Sequence, residues 1–108
     1  MTFDELLAFI EEEDTRLRAM FPEPDEGKRL LSSAVKLSEE VGELCDAILR
    51  YLNGQRKEKL DRFTQEDLEN ELADVLIVTL TLARTTGVDV REALAHKIKK
   101  IKDRYSKQ

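Results

Sequence analysis

The chain has 108 residues, enough for one domain, and its 23 acidic and 18 basic residues leave a net charge of −5. Charged residues make up 38% against a typical ~25%, yet 41% are hydrophobic, too many for a disordered polyampholyte. An acidic balance with no basic tail and no Trp argues against a nucleic-acid polymer as partner. The lone Cys45 forms no internal disulfide and no zinc site, which suits a reducing cytoplasm. The opening Met1-Thr2-Phe3-Asp4-Glu5 lacks the cationic flank of a secretory signal. The longest nearly unbroken apolar run, Val75 to Ala83, is well short of the ~20 residues that span a bilayer. A cytoplasmic, charge-coated, single domain over residues 1–108 is expected, without membrane contact.

Four helices are predicted. Thr2 with Glu5 forms a capping-box pattern, and Leu6, Phe9, Ile10 and Leu17 mark the apolar stripe of a first helix ending near Met20. Phe21-Pro22-Glu23-Pro24 stops it, because a residue before proline is pushed out of the α region. A second helix begins near Gly27 with the stripe Leu30, Ala34, Leu37, Val41, Leu44, Ile48 and Leu52, and Asn53-Gly54 offers an αL stop. Residues 55–63 read as a charged connection. Thr64 followed by Asp67 predicts the cap of a third helix, which runs to Thr85-Thr86 and stops at Gly87. Asp89 with Glu92 starts a fourth, whose stripe is Val90, Leu94, Ile98, Ile101 and Tyr105. The β-branched run Val75-Leu76-Ile77-Val78-Thr79 competes as a strand, but it lacks period-two alternation and lies inside helical sequence. Long helices with short connections predict an all-α, antiparallel four-helix bundle. The Leu/Val/Ile stripes are expected to be buried as the core, Cys45 to be structural and His96 to lie on the surface.

The chemistry follows from the placement of carboxylates. Glu40 and Glu43 lie about 60° apart on the helical wheel, as do Glu71 and Asp74. From Val75 to Ala83 the third helix is apolar or Thr nearly all round, which predicts a buried position that draws Asp74 toward low dielectric. Four carboxylates from two antiparallel helices suit Mg²⁺, a hard cation that takes oxygen ligands and leaves positions for water and phosphate. Glu39, about 40° from Glu43 on the wheel, is a candidate for holding an attacking water or for supporting the metal ligands from behind. On the fourth helix Lys97, Lys100 and Arg104 line one border of the apolar stripe, where they suit an anionic polyphosphate. The alternative for Glu40 and Glu43 is a solvated face, with Lys36 and Glu40 as an ordinary i,i+4 ion pair. The alternative for the basic border is complementation of the helix dipole.

Lys36-Leu37-Ser38-Glu39-Glu40-Val41-Gly42-Glu43-Leu44, followed by Glu71-Leu72-Ala73-Asp74-Val75-Leu76, resembles the EExxE…ExxD pattern of the MazG-like all-α nucleoside triphosphate pyrophosphohydrolases. The similarity covers about Lys28 to Tyr105. It implies Mg²⁺-dependent hydrolysis (Mn²⁺ as substitute) between the α and β phosphates of a nucleoside triphosphate, giving the monophosphate and pyrophosphate in house-cleaning of the nucleotide pool. It further implies metal ligation by Glu40, Glu43, Glu71 and Asp74 and phosphate contacts from Lys97, Lys100 and Arg104; Glu39 and Glu40 are the residues expected to be catalytic. Such proteins are homodimers or homotetramers in which neighbouring subunits complete each pocket. Members often carry Asn on the last helix where this chain has Ile98 and Ile101, which concerns sugar or base contacts more than the metal. Phe3, Phe9, Phe21 and Phe63 are candidates for stacking on a base, with a place in the core as the alternative for each. The rival readings are the phosphoribosyl-ATP pyrophosphohydrolase of histidine synthesis and a non-catalytic helical dimerisation module. A di-iron carboxylate bundle is excluded, since it needs ExxH pairs on two helices and His96 is the one histidine.

Overall fold

The computed structural model describes residues 1–56 and 62–106, with side chains described for 1–53 and 65–106. Among these the fold is all-α: α1 (Phe3–Met20), α2 (Glu26–Arg56), α3 (Arg62–Thr86) and α4 (Val90–Ser106). Local chemistry sets most ends. The Thr2 hydroxyl accepts from Glu5 N–H at 3.1 Å, and Asp89 Oδ1 accepts from Glu92 N–H at 3.2 Å, both N-caps as expected. After α3, Gly87 takes a positive φ of 75°. Gly87 N–H then bonds to Arg84 C=O and Val88 N–H to Ala83 C=O, at 3.1 and 2.9 Å. This is the paired closure of a Schellman stop, and only glycine enters it without strain.

Three boundaries differ from expectation. Asp25 caps α2, its Oδ1 accepting from Gly27 and Lys28 N–H groups at 2.9 and 3.2 Å. At the other end α2 passes through Asn53-Gly54 to Arg56. A glycine inside a helix costs only about 1 kcal/mol relative to Ala, and α2 is held to α3 one turn earlier, where Arg50 and Asp67 lie 3.3 Å apart. α3 likewise starts at Arg62, two residues before the expected cap. The β-branched run is helical, with Thr79 and Thr81 hydroxyls donating to Val75 and Ile77 C=O at 2.6 and 2.8 Å.

α2 and α3 form the main pair, and α1 packs on α3. Arg50 meets Asp67, Glu43 approaches Glu71, and Ser33 shares a cleft with Thr81. Numbers fall along α2 as they rise along α3, so the two are antiparallel. α4 is tied on at its start, where Arg91 pairs with Asp4 and lies over the Phe3 ring, 5.1 Å from its centroid.

The core inside one chain is thin. Ile10 and Ala47 are its buried hydrophobic residues among those described. The radius of gyration is 17.3 Å, where a compact chain of this length would have about 13 Å. The expectation that the stripes are buried is therefore corrected. Val41, Ile48 and Leu52 of α2, and Leu94, Ile98, Ile101 and Tyr105 of α4, are exposed, because no other helix of the chain covers those faces. Cys45 lies exposed on the same side of α2 as Val41 and Ile48, so it is not a core residue; His96 is exposed as expected. Among the described residues no helix is long and apolar enough to cross a membrane.

Candidate functional site

The antiparallel α2–α3 pair brings three carboxylates together. Glu40 and Glu43 stand one turn apart on α2, Glu71 faces them from α3, and one oxygen from each lies within 4.8 Å of the others. Like charges at this spacing repel unless a proton or a cation intervenes. Glu40 is only 6% exposed. Its Oε1 takes the Lys36 ammonium at 2.9 Å, so the i,i+4 pair read from the sequence exists. Its Oε2 and the Oε2 of Glu71 are buried with no hydrogen-bond partner. Two buried oxygens without donors, beside a third carboxylate, are the kind of ligand atoms a hard divalent cation takes. The residues present thus fit a divalent ion with oxygen ligands.

Burial pushes the Glu71 carboxyl above its ordinary value, and the charges of Glu43, Asp74 and Glu40 add to the effect. The hydrogen bond to Glu40 holds the Lys36 ammonium charged above the usual lysine range. Asp74 is outside the converging trio and is exposed, contrary to the low-dielectric position expected for it. Its face of α3 is left open by α1 and α2. Its charge still reaches Glu71, one turn back on the same helix. Glu39 is exposed and lines a small cleft of about 380 Å³ with Lys36, Leu31 and Val35. Lys97, Lys100 and Arg104 are exposed on α4, which has no extensive packing against the α2–α3 pair in one chain.

A larger cleft of about 790 Å³, within the size range of small-molecule sites, is lined by Lys36, the ion-pair partner of Glu40. Leu17 and Met20 of α1, Phe21 beyond it, and Ile77, Val78 and Leu82 of α3 give it apolar walls. Arg29, Ser33 and Lys36 supply its polar edge from α2. Arg29 Nη2 donates to the Phe21 and Glu23 carbonyls at 3.0 and 3.5 Å, which fixes the rim, while its buried Nε has no partner. Of the aromatic candidates, Phe21 lines this cleft, Phe3 is engaged by Arg91, Phe9 is half-exposed on α1, and the Phe63 side chain lies outside the described residues. Sequence reading missed Arg29 and the cleft, since the walls come from three helices far apart in the chain; Lys36 was visible only as a partner for Glu40.

The family model described as the MazG nucleotide pyrophosphohydrolase domain matches residues 29–108. The chain is also similar to the uncharacterized protein YpjD of Bacillus subtilis, with 33% identity over 84 residues and 72% of each chain covered. No solved structure matches it. The matched stretch holds the carboxylate trio and α4; α1 and Phe21, which wall the cleft, precede it.

Proposed function

This chain belongs to the MazG nucleotide pyrophosphohydrolase family, and on that premise we propose that it hydrolyses nucleoside triphosphates, ribo- or deoxyribo-, between the α and β phosphates. The products are the monophosphate and pyrophosphate, and the role is house-cleaning of the nucleotide pool. The observation that carries this reading is the buried, unpartnered oxygen on each of Glu40 and Glu71 beside Glu43. Glu40, Glu43 and Glu71 hold Mg²⁺, or Mn²⁺ in its place, and Asp74, one turn from Glu71, completes the set. The ion would neutralise the phosphates and polarise the phosphorus under attack. Glu39, exposed next to Glu40, orients the attacking water and accepts its proton, with Glu40 sharing that role.

The apolar cleft takes the nucleoside, with Phe21 and Leu17 as walls for the base. Lys97, Lys100 and Arg104 meet the phosphates. Support for a homodimer or homotetramer comes from the uncovered stripes of α2, α3 and α4, and α4 of a neighbouring copy would bring its basic border to the carboxylates.

The test is pyrophosphate release across a panel of ordinary and damaged nucleotides, with and without Mg²⁺, with phosphoribosyl-ATP assayed beside them. Metal-dependent release from triphosphates is expected. Preference for phosphoribosyl-ATP would move the protein to histidine synthesis. No release, with no calorimetric uptake of Mg²⁺, would leave a helical association module and overturn the proposal.

A further inference from the structure

Lys36 stands between the two halves of this site. Its Nζ donates to Glu40 Oε1 at 2.9 Å, and the same side chain lines both the cleft of about 790 Å³ and the smaller one that ends at Glu39. Glu40 is buried with its second oxygen unpartnered. One carboxylate therefore has one oxygen held by an ammonium and the other left to the trio. The lysine head is a compact charge on a flexible stem, and its side chain is 57% exposed, so it is free to leave. A divalent cation on Glu40 places two positive centres against one carboxylate, and their repulsion weakens the ammonium's hold. A displaced ammonium needs another anion, and the space it already borders is the cleft.

We propose that Lys36 is a positioning lysine with two partners in turn. It neutralises Glu40 in the ion-free protein. Once a divalent cation takes that carboxylate, its ammonium holds a phosphate oxygen of the nucleotide at the mouth of the cleft. The inference rests on the pyrophosphohydrolase reading above. It also carries a signature that a merely structural ion pair lacks: removing the charge strengthens ion binding and weakens nucleotide binding. A lysine that only shaped the site would, on removal, weaken both.

The experiment is calorimetric titration of Mg²⁺ into ion-free protein, followed by titration of an α,β-methylene nucleoside triphosphate, chosen from the release panel, into Mg²⁺-saturated protein. Lys36→Gln should bind Mg²⁺ on the order of three- to tenfold more tightly than wild type, the scale of a partly exposed charge pair. It should bind the analogue about tenfold more weakly. Lys36→Arg, which keeps the charge, should restore most of the analogue binding. Lys28→Gln removes the same charge two turns upstream, beyond a Debye length of ~8 Å, and should change neither constant. Helix content by circular dichroism is the check on folding, and Lys36→Met repeats the measurement with a second side chain. Unchanged or weaker Mg²⁺ binding in the Lys36→Gln and Lys36→Met variants overturns the proposal, as does undiminished analogue binding. Wild-type protein that takes up no Mg²⁺ overturns the pyrophosphohydrolase reading itself and this inference with it; uptake by wild type with unmoved variants overturns the inference alone.

Discussion

Arg84 Nε lies 3.2 Å from Asp14 Oδ2 and joins α3 to α1 across 70 positions of sequence. Asp14 is 8% exposed and also accepts from Arg18 Nε at 3.2 and 3.3 Å. Arg18 in turn reaches Glu26 at the start of α2, at 2.8 Å. One buried carboxylate between two guanidinium groups thus fixes α1 against the α2–α3 pair, and α1 is the helix that walls the cleft with Leu17 and Met20.

Asp14→Ala should therefore loosen the wall of the cleft as well as the fold. Both arginines keep part of their hydration, so the cost is the modest one of lost charge-assisted bonds, about 1–3 kcal/mol. That corresponds to a fall in Tm of roughly 4–8 °C per kcal/mol in a domain of this size. Because α1 carries no member of the carboxylate trio, KM for the triphosphate should rise while kcat changes little. Thermal denaturation and steady-state kinetics check the two halves; an unchanged KM would detach α1 from substrate binding.

Glu71 gives the protein a pH dependence of known sign. Its carboxyl titrates above the ordinary value of 4.5 because burial and the Glu43, Asp74 and Glu40 charges disfavour ionisation. The folded state therefore holds this proton more tightly than the unfolded chain does. Its contribution to stability is fully present below the unfolded pKa and is lost as pH rises through the folded one. The ion-free protein should lose Tm over that window, while Mg²⁺, competing with the same proton, binds more tightly as pH rises. The gap in Tm between Mg²⁺-loaded and ion-free protein should widen with pH. Glu71→Gln should flatten the ion-free profile and abolish the gap; a gap that persists in this variant would take Glu71 out of the metal site.

Glu40 and Glu43 were legible as a pair because an i,i+3 spacing fixes an angle on a helix, whatever the rest of the chain does; Glu71 joins them only through the antiparallel pairing of α2 with α3. Thr2, Gly87 and Asp89 were legible for a similar reason, since caps act within four residues. Asp25 was available to the same logic but was overshadowed by the two prolines before it. Gly54 misled because a glycine inside a helix costs only about 1 kcal/mol relative to Ala, and α2 runs on through it to Arg56. Asp74 misled for a different reason. Hydropathy states that a face of α3 favours burial without saying which surface provides it, and Leu72 and Leu76 beside Asp74 are 47% and 63% exposed. The stripe of α4 fails in the same way. Arg29, the cleft and the Asp14–Arg84 link depend on contacts between distant segments, which no local pattern encodes.

Exposure does not remove Asp74 from the proposed chemistry, and substitution distinguishes its contribution from that of Glu40. Glu40→Gln removes a buried ligand and should lower metal-dependent turnover by at least ~10²-fold, in line with losses of ligand-supporting groups at metal sites. Asp74→Asn should also lose turnover with native helix content, but with a smaller loss of Mg²⁺ affinity, because its carboxylate is hydrated without the ion. Calorimetry beside the pyrophosphate assay reads both. Full activity in Asp74→Asn would leave the trio as the whole ligand set.

The open face of α3 sets the last expectation. Leu72 and Leu76 are one turn apart and exposed, whereas Ile77, the next residue, lines the cleft. Burying a leucine contributes about 1.5–3 kcal/mol, and in a two-fold dimer each substitution acts twice. An aspartate there would have to be desolvated at every contact. Leu76→Asp should therefore dissociate the proposed oligomer, with light scattering giving the mass of a smaller species and circular dichroism showing retained helix. Ile77→Asp, aimed into the cleft, should instead raise KM at unchanged mass. If Leu76→Asp kept the native mass, the neighbouring copy would have to cover α2 or α4 instead. The basic border of α4 would then need another route to the carboxylates.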